Sequence, residues 1–461
     1  MTATTPTKTT GAATEAHPAA AGPAPHHHPL RTEARAGIAP WAVLAVFLTL
    51  AVAVAVQAEH WQGSWGRARL ELHAAATMLG GPLAAAIGCW HGGRERRSRT
   101  ADLRISAARS RLAQFAVAAL PVVLAVVLGY VLAAAGTLLA SWPYTSAGRP
   151  LVLPLVADAV FLAATSAAAM VVGQLVRWRP AAPVLAGLVY VALAVPAYRA
   201  SAVRFVSPSV EAGVGEELPV WWQPVAMAGW TGGLALAVVL AYAASPARRR
   251  WAALLPLAVA VCAAVSLVRV GDGAWRPDPA AGRQVCDGGS PQVCVSALDA
   301  DLLPQVSRAL SGVTGRLAGV PNGPVRFEGL PRQSRRDEAD LPQLFLGQSV
   351  VRGELTDPER YAWEAAAGLA GRRECGGAAP FGRVDAAVQD WLVSNGLGDR
   401  RRAAWARVLR ERGDKESVAA AEEGERALRH LASMDDDRRR AWLGRYFASA
   451  ESCDARKVPQ L

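Results

Sequence analysis

GGPLAAAIGCWHGGRERRSRTADL, residues 80–103, begins as a segment that belongs in hydrocarbon and ends as one that belongs in water. Its first half is small and apolar, and its second half carries Arg94, Arg96, Arg97 and Arg99. Short loops rich in Arg and Lys stay on the cytoplasmic face of a membrane. The stretch therefore reads as the end of a transmembrane helix running into a cytoplasmic loop, and the fold depends on whether that pattern repeats.

It does. The chain has 461 residues, 52% of them hydrophobic, with a positive mean hydropathy, and the apolar excess lies before residue 271. A hydrocarbon core about 30 Å thick needs about 20 apolar residues as helix. Seven stretches qualify: about 38–57, 72–91, 113–140, 151–176, 181–198, 222–244 and 251–270. Residues 1–36, rich in Thr, Ala and Pro with a His26–His28 cluster, lack the composition for a core and read as a disordered cytoplasmic tail. The expected architecture is an α-helical polytopic membrane protein with about seven spans over 37–270. A separate domain over 271–461 follows them.

Charge orients the spans. Residues 271–461 hold 28 basic and 28 acidic residues, so the whole net charge of +11 falls before them. Sorted by alternate loops, one set carries fifteen Lys and Arg: Lys8, Arg31, Arg35, seven from Arg94 to Arg111, Arg177, Arg179 and Arg248 to Arg250. The other set carries six: Arg67, Arg69, Arg149, Arg199, Arg204 and Arg269. This asymmetry places the N-terminus inside, and seven crossings then deliver the C-terminal domain outside. The isoelectric point of 9.9 would suit nucleic acid, but the basic residues lie between apolar runs, so the bilayer is the expected partner and nucleic acid is not.

Cys89 and Cys262 lie in apolar runs, whereas Cys286, Cys294, Cys375 and Cys453 lie in the C-terminal domain, where an oxidising exterior favours disulfides. Four cysteines allow three connectivities. The preferred one pairs Cys286 with Cys294, closing a Gly/Pro turn, and Cys375 with Cys453. Within the spans, Asp158 is costly unless it faces the bundle interior or water. It shares a helical face with Thr165 at i+7 and lies near Ser166. Both a functional polar lining and a position near the outer interface remain open. Nothing else in the spans reads as a proton relay or an ion site. Gly80-Gly81-Pro82, Pro121, Pro154, Pro183 and Pro196 read as kinks and packing contacts within a bundle.

The chain lacks the GxxxxGK[ST] phosphate loop, so any transport against a gradient needs a separate ATPase. It also lacks HExxH and GxSxG, and His430, the only histidine after residue 91, reads as part of a solvated helix face. No catalytic set, metal site or cofactor is expected, and the chain does not read as an enzyme. The C-terminal domain is expected to be α+β or mainly helical. QVCVSAL and PVRFEGL read as strands, and YAWEAAAGLAG, FGRVDAAVQDWLVSNGL, RRAAWARVLRERG and DRRRAWLGRYFASA as helices. Their Trp363, Trp391, Trp405 and Trp442 read as core, and Asn395-Gly396 and Arg412-Gly413 as helix stops.

Residues 80–110, GGPLAAAIGCWHGGRERRSRTADLRISAARS, resemble the second span and first cytoplasmic loop of actinobacterial membrane proteins related to type-2 ABC transporter permeases. QVCDGGSPQVCVSALDADLLPQV and RRRAWLGRYFAS resemble the extracellular C-terminal domain attached to many of them. The resemblance implies a permease-like subunit of an ABC exporter, working with a cytoplasmic ABC ATPase subunit. It also implies a coupling helix at about 94–111 that docks on that ATPase. Within that loop TADLRISAARSRL suits a short amphipathic helix capped by Thr100, with Leu103 and Ile105 near the partner and Arg94, Arg96, Arg97 and Arg99 beside them. Such permeases usually have six spans, one fewer than counted here. A membrane-anchored extracellular binding or sensory module without transport is the alternative, and whether the chain forms a homodimer stays open.

Overall fold

The computed structural model describes residues 37–97, 110–210, 217–244, 251–329, 337–371, 382–413, 415–450, 452 and 454–461. Among the described residues six helices are long and apolar enough to cross a membrane: α1 (Ala39–Val56), α2 (Trp65–Gly92), α3 (Arg111–Ser141), α4 (Val152–Leu175), α6 (Trp222–Ala243) and α7, whose regular part is Leu254–Val270. Between α4 and α6 runs a shorter apolar helix, α5 (Ala181–Ala197). Its 17 residues rise about 26 Å, a little less than a typical hydrocarbon core.

Whether α5 crosses is decided by its neighbours. Its first turn packs through Ala182 on Cys89 and Ala169, while Leu193, about three turns on, sits with Phe161, Leu162 and the start of the second half of α2. The helix thus runs from the basic end to the level of the π turn of α2, and the chain after it continues to Phe205 beside Trp275. Pro196 cannot donate within the last turn, and the hydroxyls of Ser207 and Ser209 donate to the Leu193 carbonyl at 3.1 and 2.7 Å. Seven helices therefore alternate in direction, and the two ends of the bundle differ. One end, the basic end, gathers Arg94, Arg97, Arg111, Arg177 and Arg179.

The other end meets the C-terminal domain. Strand β1 (Glu217–Pro219), before α6, pairs antiparallel with β2 (Trp275–Pro277), just after α7, with Leu218 opposite Arg276. Phe205 packs on Trp275. The Asp301 N–H donates to the Ser146 hydroxyl between α3 and α4, and Arg352 Nε donates to Gln62 Oε1 between α1 and α2. The domain is thus anchored to all three loops at this end.

Tryptophans mark both ends. Trp41, Trp90, Trp178 and Trp251 lie at the basic end, and Trp61, Trp65, Trp142, Trp221, Trp222 and Trp275 at the domain end. Indole rings prefer the interface between hydrocarbon and water.

Helix packing within the bundle relies on small residues. A Cβ on Gly88 would stand 2.2 Å from the Ser166 carbonyl oxygen, one on Gly92 2.2 Å from that of Met170, and one on Gly173 2.1 Å from that of Cys89. Backbone therefore touches backbone along the α2–α4 seam, the contact a small-xxx-small repeat permits.

The C-terminal domain is α+β. A four-stranded sheet has the order β3 (Gln284–Cys286), β4 (Gln292–Ser296), β5 (Arg326–Glu328), β6 (Glu338–Asp340); β3 and β4 are antiparallel, the other neighbours parallel. Helix α8 (Leu303–Leu317) joins β4 to β5 and lays Val306, Leu310, Val313 and Leu317 on Val293, Val295 and Phe327. Helices α9 (Pro358–Ala370), α10 (Gly382–Val393), α11 (Gly396–Arg412), α12 (Lys415–Ser433) and α13 (Asp436–Ala448) follow, and Tyr361, Val388, Leu392, Leu431, Leu443 and Tyr446 join the same core. The expected strands and helices all form. Trp442 is buried and Trp363 and Trp391 pack partly on the core, but Trp405 is exposed, against the expectation that all four are core. Asn395 ends one helix and begins the next, its side chain accepting from the Gly398 N–H, and Gly413 terminates α11 at φ +68°. His430 is exposed on α12, as expected.

Cys286 and Cys294 form a disulfide directly across the β3–β4 pair. The proposed partner pair, Cys375 and Cys453, lies outside the described residues.

Candidate functional site

The second span starts earlier than hydropathy suggests. Ser64 caps it by accepting from the Arg67 N–H, and the helix begins at Trp65, seven residues before the apolar run. Arg69 is therefore not a loop residue: it is buried one turn into the bundle, and His73 lies one turn further on the same face. This corrects both the span boundary and the place of Arg69 among the loop charges.

Arg69 and His73 face Asp158. The carboxylate is 4% exposed; His73 Nδ1 lies 2.7 Å from Oδ1, and the Tyr130 hydroxyl of α3 donates to Oδ2 at 3.3 Å. Arg69 interacts electrostatically with the same carboxylate. A buried carboxylate is tolerated when opposite charge and donors surround it, and here two helices, α2 and α3, contribute them. Asp158 is thus an interior group, six residues or about 9 Å into α4 from the domain end. It does not face the outer interface. Thr165 is half-buried and plays no part in the cluster, because seven residues put it about 10 Å further along the axis. Ser166 is buried against Gly88 in the seam.

The cluster adds Arg69, His73 and Tyr130 to the one intramembrane carboxylate that the sequence singled out. The phenol and the guanidinium supply a donor and a fixed positive charge. One residue type and spacing in the sequence carried a signal for this: Arg69, His73 and Thr77 recur every four residues on the face of one helix.

Next to the cluster α2 changes its winding. Residues Ala76–Gly80 form a single π-helical turn ahead of Gly81-Pro82. Pro82 has no N–H for the carbonyl four residues back, and a wide turn lets the preceding carbonyls find other donors. Thr77, within it, donates its hydroxyl to the His73 carbonyl at 2.8 Å. Gly81 lets α4 approach, since a Cβ there would stand 2.9 Å from Phe161. Single π turns in helices recur at functional positions.

At its far end α2 runs into the short helix Arg94–Arg97. Arg94 is exposed, and Arg96 lies in the same helix. Arg97 turns back, donating to the Trp90 carbonyl with its guanidinium 4.1 Å from the centre of the Trp90 ring. The other candidates of this loop, Arg99, Leu103 and Ile105, lie outside the described residues, as does the amphipathic helix expected there.

No protein-family model matches the chain, and no curated protein or solved structure matches it. The fold and the site define a helical multi-pass membrane protein that carries a buried, hydrogen-bonded cluster of charged and polar side chains within its bundle.

Proposed function

We propose that the chain is the permease-like transmembrane subunit of an ATP-binding-cassette exporter, driven by a separate ATPase subunit on the cytoplasmic face. The observation that carries this reading is the continuity of α2. That one helix joins the basic Arg94–Arg97 segment, a glycine seam against α4, a π turn and the Arg69–His73 pair at Asp158. A partner docked at the basic end pushes on a helix whose other half holds the buried charges. The π turn is the place where that push is converted into a rotation or a shift of register. The resemblance of residues 80–110 to a permease coupling segment points the same way, and so does the lack of a phosphate loop in this chain.

In this reading residues 94–111 dock the ATPase, chiefly through Leu103 and Ile105, with Arg94, Arg96 and Arg99 meeting acidic groups, while Arg97, expected in the same docking set, turns back onto Trp90. The C-terminal domain faces the exterior, where its disulfide persists. The test is affinity purification of the full chain in mild detergent from its own host. An ATPase should co-purify with the native chain, and Leu103→Asp should abolish its recovery while membrane insertion is unchanged. Full retention by Leu103→Asp, or no ATPase with the native chain, refutes the docking. The second reading, an anchored external binding or sensory module, is favoured by one observation: the C-terminal domain has a core of its own, separate from that of the bundle. It takes first place if no ATPase is recovered.

A further inference from the structure

At the basic end, where α2 leaves the bundle beside the turn between α4 and α5, there is a recess of about 280 Å³. Arg97, Arg177 and Arg179 line it together with Trp90, Trp178 and Ala182. No carboxylate lines it among the described residues. Three guanidiniums around a pocket without a counter-charge repel one another until an anion enters. The two indoles set the level of the pocket: Trp90 and Trp178 are both exposed at the end of the bundle, where rings of this kind sit among lipid headgroups. The floor is rigid, because it is the Gly173–Cys89 end of the α2–α4 seam. Arg97 is also held in place, by the Trp90 ring and carbonyl, so its remaining N–H groups are directed before any ligand arrives.

We propose that this recess binds a phosphate group, and that its source is the headgroup of an anionic phospholipid in the leaflet at the basic end. Guanidinium forks match the oxygens of a phosphodiester, and basic pockets between transmembrane helices at this level suit lipid headgroups. The acyl chains of such a lipid run down the exposed apolar flank formed by Leu175, Val176 and Val184. The inference is independent of any ATPase. It gives Arg97 a task different from docking a protein, which agrees with its turning back toward the bundle while Arg94 faces outward.

The test titrates the full chain, purified in mild detergent, with fluorescent phosphatidylglycerol and with fluorescent phosphatidylcholine. Phosphatidylglycerol should bind about tenfold more tightly or better, and Arg97→Gln with Arg179→Gln should erase that preference. Arg179→Gln alone, at an exposed side chain, should reduce it measurably without any burden on folding. Arg111→Gln with Arg248→Gln removes the same charge from the other basic loops and should leave the preference intact. Excess inorganic phosphate should leave the lipid bound. Displacement by phosphate would reassign the recess to free phosphate and overturn the lipid assignment. Equal binding of the two lipids, or an equal loss in the Arg111/Arg248 control, would show diffuse charge attraction and overturn the site.

Discussion

Asp158 illustrates how much a single side chain depends on its partners. Its carboxylate is surrounded by Arg69, His73 and Tyr130, and breaking a buried charge pair from one side leaves the other charge uncompensated, at a cost of about 3–5 kcal/mol. Asp158→Asn is therefore expected to lower the thermal midpoint of the detergent-solubilised chain, and adding Arg69→Gln should restore part of the loss. No change in the first variant, or simple addition in the second, would mean that the groups do not interact. The sequence showed Asp158 but hid its partners. Arg69 and His73 precede or open the apolar run, so hydropathy assigns them to its edge, and Tyr130 is one aromatic among many apolar residues. The i, i+4 spacing from Arg69 to Thr77 was the available sign. In the C-terminal domain, burial pushes the Asp287 carboxyl up, but donors outweigh it: the N–H groups of Val293 and Gly289 and the Ser307 hydroxyl hold it below the ordinary carboxylate range. A depressed carboxyl stabilises the fold above its unfolded value and loses that contribution as pH falls through the folded one. Unfolding of the native chain monitored below about pH 4 should thus show a loss of stability that Asp287→Asn does not show. Parallel pH profiles for the two would contradict this.

Among the elements, α2 and α5 best separate what composition reveals from what packing decides. Six spans are plain from their apolar length alone. The seventh, α5, was counted among the spans from sequence, but its 17 residues are marginal by length; its place in the bundle is set by Ala182 against Cys89 and Leu193 against Phe161. The π turn in α2 was announced by Gly80-Gly81-Pro82 only as an interruption. The winding it produces depends on how α4 packs there. The glycines of the α2–α4 seam are more specific. Gly88→Leu or Gly92→Leu forces two backbones apart and is expected to cost about 2 kcal/mol or more, read as a lower thermal midpoint and loss of monodisperse protein. Gly187→Leu on α5, which meets nothing within 4 Å, should be tolerated. Equal effects at Gly88 and Gly187 would refute the seam. In the C-terminal domain helical periodicity located each helix named from sequence, but not the exposure of Trp405, because a single aromatic on a charged helix has no stripe to assign its face.

The whole molecule rests on parity. Seven helices alternate, so the basic loops gather at one end of the bundle and the C-terminal domain at the other, where it is tied to Gln62, Ser146 and strand β1. With Arg69 buried in the bundle, fifteen basic residues stand against five in the alternate loops, and the rule that basic loops stay inside favours a cytoplasmic basic end. Both functional readings require it, since an ATPase docks inside and an external module faces outside. The direct measurement is labelling of intact cells with a membrane-impermeant maleimide, in a chain whose cysteines outside the Cys286–Cys294 pair are replaced by serine. Ser311→Cys on α8 should react in intact cells, and Arg177→Cys at the basic end should react only after the membrane is opened. Labelling of Arg177→Cys in intact cells, or protection of Ser311→Cys, would contradict the account.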